Sequence, residues 1–168
     1  MSYFGLFVEL PKKLETFIYE EKNKIKSFSI NEFVDHPPHI TLATFSEPYK
    51  EIFEEISFKP TQILVQQKKY FTDENSNFTL YYDIKPDSSL IDLHHQVVDR
   101  LDKKNINLLY TYIKSDWIPH ITIGQIRDKK YAEQFANEKY KIEIFLNRLS
   151  YIKYENKKHI TLKEKKYC

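Results

Sequence analysis

An α+β fold is predicted for this chain of 168 residues. Some stretches place apolar residues at helical spacing, and others alternate polar with apolar in neighbouring pairs joined by short polar turns. Helices and hairpins mixed in this way argue against regularly alternating parallel units. The third observation is a repetition. Pro38-His39-Ile40-Thr41-Leu42 returns as Pro119-His120-Ile121-Thr122-Ile123.

Ser2 to Leu10 reads as a strand rich in Phe, Leu and Val. Pro11 suits the start of a helix, where its fixed backbone angle costs nothing. Leu10, Leu14, Phe17, Ile18 and Ile25 form the apolar stripe of that helix. Glu20, Glu21, Lys22 and Lys24 are expected on its solvated face. Phe28 to Asp35 is a connection. His36-Pro37-Pro38 holds the chain extended, because a residue before proline avoids helical angles. The first motif strand continues to Phe45, and Pro48 opens a short helix carrying Ile52, Phe53 and Ile56. Thr61–Phe71 and Phe78–Ile84 form a hairpin around the polar turn Asp73–Asn77.

In the second half, Ser89-Leu90-Ile91-Asp92 has the pattern of a helix capping box. Leu90, Leu93, Val97, Val98 and Leu101 make the buried stripe, and Lys103 and Lys104 fall in the last turn, where positive charge is favoured. A strand is expected over Leu108–Ile113, and the second motif strand over Ile118–Ile126. A helix with Tyr131, Phe135 and Ala136 on one side comes next. Lys141–Leu146, Leu149–Tyr154 and Lys158–Leu162 then read as strands, the last two joined by Glu155-Asn156-Lys157. Both halves run helix, motif strand, helix, hairpin-type strands, which suggests an internal structural duplication in one domain spanning 1–168.

The motif has a physical reading. Side chains alternate along a strand, so His39 and Thr41 share one face while Ile40 and Leu42 share the other. His120 and Thr122 stand in the same relation to Ile121 and Ile123. Proline lacks an N–H, so Pro38 and Pro119 fit the first position of each strand. With six histidines and nine threonines, chance placement gives roughly 0.3 His-x-Thr triplets. The third triplet, His159-Ile160-Thr161, lacks the proline and sits in a lysine-rich tail, so it is read as the chance copy and His159 as dispensable.

Composition excludes several functions. The only glycines are Gly5 and Gly124, too few for a Walker loop or a dinucleotide-binding turn. The single cysteine, Cys168, permits neither an internal disulfide nor a cysteine zinc site. A net charge of +2 does not signal a duplex-DNA surface. No segment has the length and apolarity to cross a membrane. A cytoplasmic, monomeric protein is the expectation. Aromatics make up 15% of the chain, so a core rich in Tyr, Phe and Ile is expected. Lys68, Lys69, Lys114 and Arg127 are expected on solvated faces.

The paired motifs resemble the 2H phosphoesterase superfamily, the LigT-like proteins that include RNA 2',3'-cyclic phosphodiesterases and 2'-5' RNA ligase-like proteins. The His-x-Thr-x signature matches at His39–Leu42 and His120–Ile123, and Gly124-Gln125 is similar to the second motif of small bacterial members. The resemblance implies two lobes, each an antiparallel sheet with helices on its outer face, around a central cleft carrying both motifs. It also implies catalysis by His39 and His120 as acid and base, with Thr41 and Thr122 binding phosphate and no cofactor or metal. The substrate would be a phosphodiester, on a nucleotide or an RNA end.

The residues permit the same chemistry. Imidazole titrates near neutrality, so one ring can take a proton while its counterpart gives one. Which histidine does which is not decided by the sequence. Two alternatives stand beside this enzyme. His36, His39 and His120 could bind a metal, since three imidazoles suffice for zinc. Or the chain could be an RNA-end or nucleotide-binding module without turnover. His36, His94 and His95 are otherwise read as structural or solvated. The tyrosines and phenylalanines are read as core, although one ring could stack on a base.

Overall fold

A computed structural model describes residues 2–109 and 114–168. Its strands are β1 (Tyr3–Glu9), β2 (His39–Phe45), β3 (Thr61–Thr72), β4 (Phe78–Lys85), β5 (His120–Ile126), β6 (Ile142–Leu146), β7 (Arg148–Glu155) and β8 (Lys158–Lys166). Its helices are α1 (Lys12–Ile25), α2 (Ile52–Glu55), α3 (Ser88–Lys103) and α4 (Lys129–Asn137). Short 3-10 turns cover Glu32–Asp35 and Lys114–Asp116. The strand expected over Leu108–Ile113 falls largely outside the described residues. Leu108 itself bridges Phe45, and the Leu109 amide donates to the Thr44 carbonyl.

The strands form two antiparallel four-stranded sheets, ordered β2-β1-β7-β8 and β5-β4-β3-β6. Each motif strand lies at a sheet edge. The repeat is cut differently from the two halves of the sequence. The hairpin after the first motif, β3–β4, joins the second motif's sheet. The hairpin after the second motif, β7–β8, joins the first motif's sheet. The helices are exchanged as well: α1 packs against β5 and α3 against β2. One continuous apolar cluster therefore draws on both sheets, from Leu6 and Ile40 through Leu80 and Ile121. Tyr82, Tyr151, Phe45 and Phe53 are among its largest fully buried side chains, as the aromatic content predicts.

Two local expectations need correction. The cap of α3 is Asp87, which accepts from the Leu90 amide at 2.9 Å, and not Ser89. Asp87 lies three residues before that amide, the spacing a side-chain cap needs. The supposed solvated face of α1 is half interior. Glu21 and Lys22 are only 6% and 2% exposed, because the helix is covered on two sides. On one side Glu21 receives Lys68 at 3.1 Å and the Tyr82 hydroxyl at 3.0 Å. Lys68 is thereby buried, not solvated, and also pairs with Glu138. Removing one member of such a group would strand a charge in the interior. On the other side Lys22 donates to the Phe33 and His36 carbonyls at 2.7 and 2.8 Å. That contact fixes the chain just before the first motif.

Gly124 has a packing role. A Cβ there would stand 2.7 Å from Ile25 Cδ1 and from Val34 Cγ1. The next residue, Gln125, accepts from Asn31 Nδ2 at 2.8 Å and donates to Asp73 at 3.1 Å. The end of α1 and the turn leading to the first motif are thus docked on the second motif's strand.

Candidate active site

Both motif strands turn their polar faces into one cavity of about 570 Å³, lined by His39, Thr41, His120 and Thr122 among others. Their apolar neighbours Ile40, Leu42, Ile121 and Ile123 are buried on the opposite face. The alternation expected from strand geometry is met in both copies.

The two histidines are held alike. His39 Nδ1–H donates to the Pro37 carbonyl at 2.6 Å, and His120 Nδ1–H donates to the Ile118 carbonyl at 2.7 Å. Each ring is thus tied to the carbonyl two residues before it. This fixes the tautomer, and Nε2 remains for proton transfer. An aromatic ring supports each imidazole from the adjoining strand. Phe7 on β1 stacks on His39 at 3.7 Å and 8°. Tyr81 on β4 meets His120 edge-on at 5.3 Å, as does Phe71.

The register extends the likeness. Phe7 stands opposite Thr41 and Glu9 opposite His39; Tyr81 stands opposite Thr122 and Asp83 opposite His120. A β-bulge precedes the aromatic in each pair of strands, at Leu6/Phe7 and at Leu80/Tyr81. Bulges of this kind re-aim side chains at functional positions. Phe7-Val8-Glu9 and Tyr81-Tyr82-Asp83 thus form a second repeat, aromatic-x-acid. Its pattern is visible in the sequence but too short to separate from chance without the pairing.

The surroundings of the rings differ. Burial lowers the pKa of His39 well below the ordinary imidazole range, and His159 adds to this; the Pro37 carbonyl opposes it, while Lys22 and His36 depress it further. Burial also lowers His120, but there the Ile118 carbonyl and Asp83 pull the other way.

The third His-x-Thr is not remote. The His159 ring lines the cavity, 5.4 Å from His39 and 4.2 Å from His36. Thr161 is exposed. His94 is structural: its Nδ1–H donates to the Leu42 carbonyl at 2.9 Å, and its ring stacks on Trp117 at 4.2 Å and 5°. Trp117 in turn donates to the Thr41 carbonyl at 3.3 Å. This contact links the approach to the second motif with the strand of the first, and a lone tryptophan carries no sequence signal for it. Among the described residues no three His, Cys, Asp or Glu side chains are grouped as ligands would be. Lys22 is the one lysine or arginine among the described residues lining the cavity.

Among solved structures, the chain is similar to Escherichia coli LigT complexed with 3'-AMP, with a TM-score of 0.65 and 14% identity over 99% of this chain and 98% of that one. It is also similar to TT0787 of Thermus thermophilus, with a TM-score of 0.63 and 14% identity over 98% and 97%. Usb1 of Kluyveromyces marxianus gives a TM-score of 0.50 and 13% identity over 95% and 97%. At these identities the likeness is one of fold. No curated protein matches the sequence. The model of the 2'-5' RNA ligase superfamily matches residues 11–158. With both His-x-Thr-x motifs inside that span, the chain belongs to the 2'-5' RNA ligase superfamily of 2H phosphoesterases.

Proposed function

We propose that this protein is a metal-independent phosphoesterase that opens cyclic or 2'-linked phosphodiesters of RNA ends or small nucleotides. One observation carries the reading: two imidazoles with matched Nδ1 anchors share one cavity, each two residues from a threonine. One Nε2 takes the proton of the attacking water as its oxygen bonds to phosphorus. The other Nε2–H gives its proton to the leaving ribose oxygen as the P–O bond breaks. Thr41 and Thr122 hydroxyls donate to the non-bridging oxygens, where negative charge accumulates. The nucleotides named with the LigT structures, 3'-AMP and ATP, support a nucleotide-sized substrate here.

The test is incubation of the purified protein, in the presence of a strong chelator, with 2',3'-cyclic nucleotides and separately with a 2'-5' dinucleotide. Turnover of either, lost in His39→Ala and His120→Ala, is the expected result. Binding without turnover of any phosphodiester would replace the enzyme with a nucleotide-binding module.

A further inference from the structure

We propose that His159, with His36 packed behind it, is a positioning residue that keeps His39 uncharged and thereby makes it the proton acceptor of the pair. The inference rests on the proposed phosphoesterase reading and assigns the roles within it.

The geometry starts at a tight turn. Asn156 and Lys157 have φ of 51° and 62°, the paired left-handed residues of a two-residue hairpin. The turn sets the register that places Tyr154 opposite His159. The ring of His159 is thereby delivered into the cavity, where Tyr3 OH lies 3.4 Å from its Nε2. His36 packs on His159 at 4.2 Å and also meets the rings of Phe33 and Tyr154. Its Nε2 is buried with no hydrogen-bond partner among the described residues, so a proton added there would have nowhere to be shared. His39 is thus flanked by Phe7 and by His159, whose rings are themselves 5.4 Å apart, with His36 behind His159.

The charged groups around His39 come from several elements. Lys22 of α1 reaches the His36 carbonyl. Glu9 of β1, Glu15 of α1 and Glu164 of β8 line a smaller cavity on the far side of His39 and His159, together with Tyr19. Glu9 is engaged with Arg148 at 3.7 Å and Glu15 with Lys12 at 3.5 Å. The titratable groups that weigh most on His39 are His159, Lys22 and His36, all of which oppose a positive charge on it, against the pull of the Pro37 carbonyl. Burial holds His159 at about 4, so it remains a neutral wall at neutral pH. Among the described residues His120 has no such wall of imidazoles, and it has Asp83 beside it.

The experiment is a ring titration of His39 by NMR in the wild type, in His159→Ala and in the bulkier polar variant His159→Gln, with a pH–rate profile of each. Opening the wall admits water and removes a competing imidazole. The His39 midpoint should rise by about one pH unit in His159→Ala, and the acid limb of the rate profile should move with it. A change of packing alone would lower the rate without moving that limb. An unmoved His39 midpoint in both folded variants overturns the inference, whatever the turnover. A raised midpoint in a protein that turns over no phosphodiester overturns the functional reading and leaves the wall standing.

Discussion

Strands β1 and β2 can be laid on strands β4 and β5 position by position: Phe7 on Tyr81, Glu9 on Asp83, His39 on His120, Thr41 on Thr122, with a bulge at the same place in each. Against this common frame the differences stand out. Phe7 lies flat on His39, whereas Tyr81 presents its edge to His120. Asp83 is held by Gln66 and Lys69 at 2.7 and 2.8 Å and favours a proton on His120. Glu9 faces Arg148 and is not among the largest influences on His39. The first lobe gathers His36, His159 and Lys22 around its imidazole. The matched strands fix where the two motif histidines sit, and the unmatched neighbours give the two rings different surroundings.

The largest test of that comparison is to remove the imidazoles. His39→Ala and His120→Ala are each expected to lower turnover of a responsive phosphodiester by on the order of a hundredfold or more. The double variant should be little worse than either, since the rings act as a unit. If one lobe tolerates the change, the pairing is wrong. Next come the hydroxyls. Thr41→Val and Thr122→Val are each expected to cost on the order of tenfold to a hundredfold in kcat, by loss of one donor to the charged phosphoryl oxygens.

A sharper test separates the acids. Asp83→Asn removes the anion that raises His120, so the His120 midpoint in an NMR titration should fall. Glu9→Gln, at the matching position, should leave His39 where it is. Equal shifts in both would mean that the lobes are electrostatically alike.

The smallest effects concern the contacts that dock one lobe on the other. Burial lowers the Lys22 ammonium to about 7, against the opposing pull of Asp35. Between about pH 7 and the ordinary lysine range, the unfolded chain carries the proton and the folded chain does not, so stability rises with pH through that window. The unfolding midpoint of the wild type should climb over this range relative to Lys22→Met, and the gain should be gone once the pH has fallen to about 7. Gly124→Ala crowds Ile25 and Val34; a cost of about 1–3 kcal/mol is expected from overpacking, measurable as a lower urea midpoint at unchanged slope.

Much of this is legible along the chain. The strands, the principal helices and the polar face of each motif follow from period and proline placement, because these are local preferences of backbone and side chain. His159 reads as dispensable because its triplet lacks the proline and lies among lysines. That reasoning judges the triplet by its neighbours in sequence, and a hairpin turn brings its ring beside His39 regardless. Lys22 and Lys68 depart from expectation for a related reason. A charged residue reads as solvated until a second element covers it and supplies its partners, here the Phe33 and His36 carbonyls for one and Glu21 for the other.

The sequence by itself determined the elements and the two His-x-Thr-x tetrads, since alternation and repetition are written along the chain. Only the tertiary structure decided that hairpins and helices are exchanged between the lobes, that aromatic-x-acid strands back both histidines, and that three imidazoles meet at one of them. Those facts depend on pairing and packing between residues tens of positions apart, where no local preference reaches.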